Sequence, residues 1–440
     1  MKRRDFLKKV GLAAAGTFAA PYILPAGRLF AASGARLANH VVVCLFAGGV
    51  RNLEAVHKID GNLMPGTLVG NETISADIAA GMTALPMQPL PLPLQKYGTL
   101  YKEFRFREGP TGHYSAHAVA ITGRYADTGL NIRQAPEWPT VFELYRKHSS
   151  PEKNALNTWW VSNTLGPYPA LNYSSYPGYG SIYGANFIQP SSLVSQQSAN
   201  ALGNMKPFSG NERLSRDKIR NFLDKNFSGQ YQPNDAGMAN EPLDADRLRD
   251  FTATVLSNAA NGHYADPWGA GGAMNTDMYN MFFAEEIIKE FKPELMVVNM
   301  QDVDVCHFNF TRYADNLRKA DFSVAHLWNT IQSTPGMAND TVMIVVPEHG
   351  RNQQPNTVID SYGRYALDHT AINNSGDQMS REIFCLVVGP TGIVVQDQTI
   401  NTVRGQSIDI LPTVAKVLGF DSGIPAAVRP PGQYLGDAFL

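Results

Sequence analysis

Five short, almost wholly apolar segments constrain the fold of this chain more than anything else in it. They are His40–Phe46 (HVVVCLF), Thr158–Ser162 (TWWVS), Leu295–Met300 (LMVVNM), Thr341–Val346 (TVMIVV) and Ile383–Val388 (IFCLVV). A strand with one wet face alternates apolar and polar residues. An unbroken apolar run reads as a strand buried on both faces, as in a parallel sheet with helices on either side. Helical patterns lie between the runs. Pro139–Lys147 opens on proline, and Met278–Phe291 spaces Met281, Ala284, Ile288 and Phe291 by three and four behind a cap at Thr276 or Asp277. Arg312–Ile331 reads as a longer helix, and Ile410–Leu418 as one that stops at Gly419. The alternation predicts an α/β fold with a doubly wound, mostly parallel sheet.

Residues 165–276 break this rhythm. Tyr168, Tyr173, Tyr176, Tyr179 and Tyr183 fall in a Gly/Pro/Ser-rich stretch, followed by helical patterns at Leu214–Phe227 and Asp244–Ala260. The region reads as a Tyr/Gly-rich and helical insertion over the sheet. Tyrosine-rich loops either stack on sugar rings or simply cover the surface. With 44% hydrophobic and 17% charged residues the chain is too apolar for disorder. Its 37 Lys and Arg against 39 Asp and Glu lack the basic excess of a nucleic-acid binder. Three cysteines cannot build a disulfide framework; Cys44 and Cys385 fall inside strand runs, and Cys306 stands beside His307 as a possible soft ligand.

Lys2-Arg3-Arg4-Asp5-Phe6-Leu7-Lys8-Lys9 followed by Val10–Ala20 is a basic head on an apolar stretch too short for a membrane span. Arg3-Arg4-x-Phe6-Leu7-Lys8 resembles the bacterial twin-arginine export signal. Residues 1–34 are therefore expected to be a signal peptide cut near 33–35, leaving residues 35–440 as one domain with no stable membrane anchor. Its partner would be the twin-arginine export machinery, and its location the periplasm or the medium. The segment removes Lys2, Arg3, Arg4, Lys8, Lys9 and Arg28 against Asp5 alone, so the remainder is more acidic than the whole chain.

Two clusters of chemistry-bearing residues follow strand runs, and a third precedes one. Asp302-Val303-Asp304-Val305-Cys306-His307 follows Met300, Glu348-His349 follows the run ending at Val346, and Asp368-His369-Thr370 precedes Ile383. Ligands of open α/β sheets sit beyond the carboxyl ends of the strands. Carboxylates and imidazoles gathered there are the donor set of a divalent ion. No G-x-S-x-G elbow, H-E-x-x-H pair or phosphate loop is present.

The order of these pieces resembles the alkaline phosphatase and sulfatase superfamily, closest to a branch of exported twin-arginine-signal proteins. Ile121-Thr122-Gly123-Arg124-Tyr125 is similar to the helix end after that family's nucleophile. Ser407-Ile408-Asp409-Ile410-Leu411-Pro412-Thr413 is similar to the opening of its last helix, and Pro347-Glu348-His349-Gly350 to its Asp-His-Gly strand end. The resemblance implies a metal-dependent hydrolase of phosphate or sulfate esters, acting on a small-molecule or saccharide ester. It implies one ion (Zn, Mn or Ca) on Asp302, His307 and His369, and part of a second site on Glu348 and His349. Two departures stand out. The loop Ala47-Gly48-Gly49-Val50 lacks the family's first metal-binding Asp, for which Asn52 or Glu54 would have to substitute. His113 occupies the nucleophile position, with Thr111 and Ser115 as the nearby hydroxyls and His117 on the same segment. Arg124 and Arg351 are candidate oxyanion clamps. The alternative implied by the two losses is a catalytically degenerate relative with a binding or assembly role. If His113 faces the metal cluster it would serve as a ligand or proton donor, and Thr111 or Ser115 would be the oxygen nucleophile.

Overall fold

The computed structural model describes residues 36–126, 134–163, 171–190, 240–370 and 376–440. The expected leader over 1–34 and the expected helix Leu214–Phe227 lie outside the described residues. Eight strands form one sheet: β1 His40–Phe46, β2 Gly98–Arg105, β3 Thr158–Val161, β4 Asn186–Ile188, β5 Leu295–Met300, β6 Thr341–Pro347, β7 Glu382–Val388 and β8 Gln398–Gln406. Their order is β4-β3-β5-β1-β6-β7-β2-β8. Every neighbouring pair is parallel except those on either side of β7, so β7 alone runs against the rest. The fold is mixed α/β with a mostly parallel sheet.

All five apolar runs are strands of this sheet. Along β1, Val41, Val43 and Leu45 enter one core while Val42, Cys44 and Phe46 enter the other. The period-2 alternation of a strand thus fills two layers at once. Each such buried side chain contributes on the order of 1.5–3 kcal/mol, which fixes β1 rigidly at the sheet centre. Strands β2, β4 and β8 had no comparable signal. β8 (QTINTVRGQ) is a polar, largely exposed edge, and β4, drawn from the inserted region, is three residues long.

Among the described residues the helices of eight residues or more are α1 His113–Thr122, α2 Val141–His148, α3 Pro242–Ala260, α4 Thr276–Phe291, α5 Phe310–Ser333 and α6 Ile410–Val417. The cap of α4 is Asn275, whose side chain accepts the Met278 N–H at 3.0 Å, and not Thr276 or Asp277. Asp277 instead turns to the sheet and accepts the N–H groups of Gln301 and Asp302. α6 ends as expected, with Gly419 at φ 71°, the Gly419 N–H on Lys416 O and the Phe420 N–H on Ala415 O. In the tyrosine-rich stretch Tyr176 stacks on Trp138, and Tyr179 lies under Lys147 with its hydroxyl 2.6 Å from His148 Nε2. These rings cover α2. All three cysteines are buried and unpaired, and the Cys306 thiol is pushed up to about 12 by burial.

Candidate metal centre

Five segments meet beyond one end of the sheet: the loop after β1, the start of α1, the turn after β5, the loop after β6 and the loop before β7. After β5 the chain makes a tight helix of three residues per turn, Asp302–His307. Residues three apart eclipse in such a helix, so Asp304 and His307 share a side and Asp302 does not. The structure corrects the predicted pair accordingly. Asp302 accepts the Asp277 N–H at 3.1 Å, away from the imidazoles, and burial pushes its carboxyl up. Asp304 takes its place. Its Oδ1 lies 3.3 Å from His307 Nε2 and 3.8 Å from His369 Nε2, and its Oδ2 lies 3.3 Å from His113 Nε2.

His113, Asp304, His307 and His369 form a group whose donor atoms all lie within 4.8 Å of one another. Four ligands about 2.0–2.1 Å from a tetrahedral ion stand about 3.3 Å from each other, which is the spacing of the two shorter contacts. Each imidazole is held by its other nitrogen, so that Nε2 is left to face inward. His307 Nδ1 meets Asp368 Oδ1 at 2.6 Å, His369 Nδ1 meets Thr111 O at 2.7 Å, and His113 Nδ1 meets Glu348 Oε1 at 2.6 Å. The rings of His307 and His369 are 4.7 Å apart, and those of His113 and His369 4.8 Å. His369 Nε2 is buried without a hydrogen-bond partner. An unpartnered buried nitrogen inside a ring of donors is suited to ligate a cation. The residues present fit a divalent ion.

Electrostatics agree. Burial works against an ionised Asp304, but the His113, His307 and His369 imidazoles outweigh it and hold the carboxyl well below the usual range. Burial and the neighbouring His349 keep His369 neutral, with its lone pair available. Burial also pulls His113 down, yet Glu348 and Asp304 overcome it and raise it to about 10. His113 is therefore protonated near neutral pH in the metal-free protein, and an ion must displace that proton. Because the raised pKa favours the charged form, metal affinity should climb as pH rises toward about 10. Calorimetric titration of metal-free protein with Zn²⁺ at pH 7.5, in buffers of different ionisation enthalpy, should show one proton fewer released by His113→Asn than by the native protein. Equal proton release would remove His113 from the ligand set.

A second group, His113, Glu348 and His349, overlaps the first through His113. Glu348 Oε1 accepts the Gly48 N–H at 2.5 Å and faces His113 Nδ1, while its other oxygen lies beside His117 Nδ1 and, like His349 Nε2, is buried without a hydrogen-bond partner. Burial pushes its carboxyl up, but His117, His113 and His349 bring it well below the usual range. His349 Nε2 lies 3.2 Å from Glu348, and its ring stacks on His369 at 4.0 Å. The position where a first-strand carboxylate would complete this group is occupied by the backbone of Gly48 and Gly49. Of the two expected substitutes, Glu54 is clamped by Arg51 at 2.9 and 3.1 Å, and the Asn52 amide nitrogen donates to Lys102 O.

The remaining predicted residues fall as follows. The Thr111 hydroxyl donates to His369 O and accepts the Gly376 N–H at 2.8 Å, so it clasps the His369 loop and is not poised as a nucleophile. Ser115 is buried on α1 two residues past His113, about 200° around the helix, whereas His117, four residues on, shares the His113 face. Arg124 lies beyond the opposite end of the ten-residue α1, about 15 Å from its start. It stacks on Trp138 at 3.9 Å and donates to Arg429 O, which excludes it as an oxyanion clamp. Arg351 is buried and spends its donors on Gly48 O, Gly49 O, Leu367 O and Asp304 Oδ1. It therefore fixes Asp304 from behind. Asp304 could have been found from its three-residue spacing to His307; Asp368 carried no comparable signal.

No protein-family model matches this chain, and no curated protein matches it. Solved structures do. Wild-type alkaline phosphatase PafA matches at 9% identity and TM-score 0.47, over 92% of this chain and 99% of that one. A protein in the alkaline phosphatase superfamily from Vibrio parahaemolyticus matches at 10% and 0.46, over 94% and 74%. A 2-O GAG sulfatase matches at 12% and 0.44, over 90% and 73%. Among the described residues no helix is long and apolar enough to cross a membrane.

Proposed function

We propose that this protein is an exported hydrolase of phosphate or sulfate esters that works with one divalent ion held by His113, Asp304, His307 and His369. The observation that carries the reading is the convergence of three imidazole Nε2 atoms on one carboxylate at 3.3–3.8 Å, with each Nδ1 locked by an acceptor. The ester class is supported by the order of the sequence motifs. Three nitrogens and one oxygen suit Zn or Mn and not Ca, which takes oxygen ligands. When bound, such an ion supplies Lewis acidity toward an ester oxygen and lowers the pKa of water. The chain's own residues do the positioning. Glu348 holds His113 at Nδ1, Asp368 holds His307, and Thr111 holds His369 through its carbonyl.

With the Thr111 hydroxyl committed to backbone partners, water is the attacking group in this reading. The same commitment favours a second reading, in which the protein keeps the fold and the ion for binding or assembly without turnover. One experiment separates them. Protein recovered from the periplasm, with its N-terminus read by mass spectrometry near residues 33–35, is analysed for metal and assayed on an aryl phosphate and an aryl sulfate. One equivalent of Zn or Mn with metal-dependent turnover is expected. Metal without turnover on either ester selects the binding reading, and no metal at all sinks both.

A further inference from the structure

The geometry points to a second anion-binding site beside the metal centre, which takes a further phosphate, sulfate or carboxylate group of a polyanionic substrate. Assigning its occupant to the substrate rests on the hydrolase reading above. The site is a cavity of ≈ 240 Å³ lined by Arg105, Phe106, Arg107, Gln378, Arg381 and Val403. A water's share of liquid volume is about 30 Å³, so there is room for an oxyanion and several waters.

The fold builds this cavity. β2 ends at Arg105, and its antiparallel partner β7 begins at Glu382, paired with Arg105 in register. The Phe106 N–H then donates to Arg381 O at 2.9 Å. Arg381 is thereby drawn next to Arg105 and Arg107. Its guanidinium lies 5.7 Å from the Phe106 ring and donates to Gly109 O at 2.8 Å, which fixes its direction. Arg105 is paired with Glu103 at 2.9 Å and lies 3.9 Å from Glu382. Arg105, Arg107 and Arg381 thus line the cavity with Glu103 and Glu382 beside Arg105 and with Asp409 and Glu108 near Arg107, and among the described residues no ion pair engages Arg107. Planar guanidinium forks are the side chains that bind oxyanions in bidentate fashion, and their charge is fixed at any working pH.

The cavity is joined to the metal centre on both sides. Ser380, next to Arg381, accepts the Gly350 N–H at 2.7 Å, and Gly350 O in turn holds His349 Nδ1 at 2.6 Å. On the other side, Arg107 and Gly109 lead through Thr111 to His113. A substrate with one anionic group at the metal ligands would present its next group here, as a multiply sulfated or phosphorylated saccharide does.

The test uses the mature, metal-loaded protein and a multiply sulfated heparin disaccharide as probe, titrated by calorimetry at two salt concentrations. Arg107→Glu should weaken binding at least tenfold and flatten its salt dependence, while Arg107→Lys should lose less than threefold. Arg249→Glu makes the same charge change on the exposed helix α3 and should have no effect. Equal binding by Arg107→Glu and Arg249→Glu overturns the site. Inorganic sulfate binding as tightly as the disaccharide overturns the substrate assignment in favour of a free-anion site. Arg107-dependent binding with no ester turnover in the native protein overturns the hydrolase reading and leaves the anion site standing.

Discussion

Asp304→Asn is expected to cost the protein its metal, with affinity falling at least 100-fold, while Asp302→Asn keeps full metal content. The two residues are two positions apart in sequence, and the family resemblance favours Asp302. The geometry separates them: Asp304 faces three imidazoles, and Asp302 faces the Asp277 N–H. Removing the carboxylate charge leaves His113 without one of its two anionic neighbours and strips the centre of its only oxygen donor. Loss of an outer partner of a metal ligand commonly costs about 10–100-fold, and loss of the ligand itself costs more. Metal analysis of both purified variants, with equilibrium titration by a chromophoric chelator, reads the outcome. Equal metal content in the two would return the ion to a different ligand set.

The second large effect concerns the loop after β1. Gly48→Ala should destabilise the protein by on the order of 3 kcal/mol or more and halve its metal content at least. Gly48 sits at φ 117°, which L-residues rarely adopt, and an added Cβ would lie 2.7 Å from Asp304 N and 2.8 Å from Asp304 Cβ. Gly49, at φ 79°, would drive its Cβ into the His349 ring and to 2.9 Å from Gly350 O. Gly262 provides the control. It has φ 74° with nothing within 4 Å of the added atom, so Gly262→Ala costs only the left-handed backbone, about 1–2 kcal/mol. Denaturation midpoints of the three variants measure the difference. A Gly48→Ala protein as stable as the Gly262→Ala protein would mean that the loop can move aside. The second metal position would then have room for a side chain.

The same contact explains the missing carboxylate. Gly48 and Gly49 let the β1 loop lie directly against Asp304 and His349, and the Gly48 N–H binds Glu348. Glu348 is thereby turned from a ligand into the acceptor that orients His113 and His117. On the function proposed above, a chain built this way would hold one ion where an additional strand-end carboxylate would support two.

Sequence alone determined the middle of the sheet and the neighbourhood of the site. Strands β1, β3, β5, β6 and β7 are buried on both faces, and burial on both faces leaves an unbroken apolar run that no surface segment would tolerate. Because ligands of such sheets collect beyond strand ends, the same runs pointed to His307, Glu348 and His349, whereas His369 precedes its strand and reaches the same end because β7 runs antiparallel. The edge strands β4 and β8 were invisible for the opposite reason: a strand that buries little has no hydrophobic pattern to read. Only the tertiary structure decided which donors converge. Asp304 replaced Asp302 because the turn after β5 winds at three residues per turn. His113, named from the sequence as a possible ligand or proton donor, is brought by the start of α1 against Asp304 and Glu348. Thr111, Arg124 and Arg351 left the chemistry because their polar atoms are consumed by backbone partners chosen far away in sequence. Hydrogen-bond partners separated by hundreds of residues leave no local signature, so residue type and spacing can nominate a site but cannot assign its members.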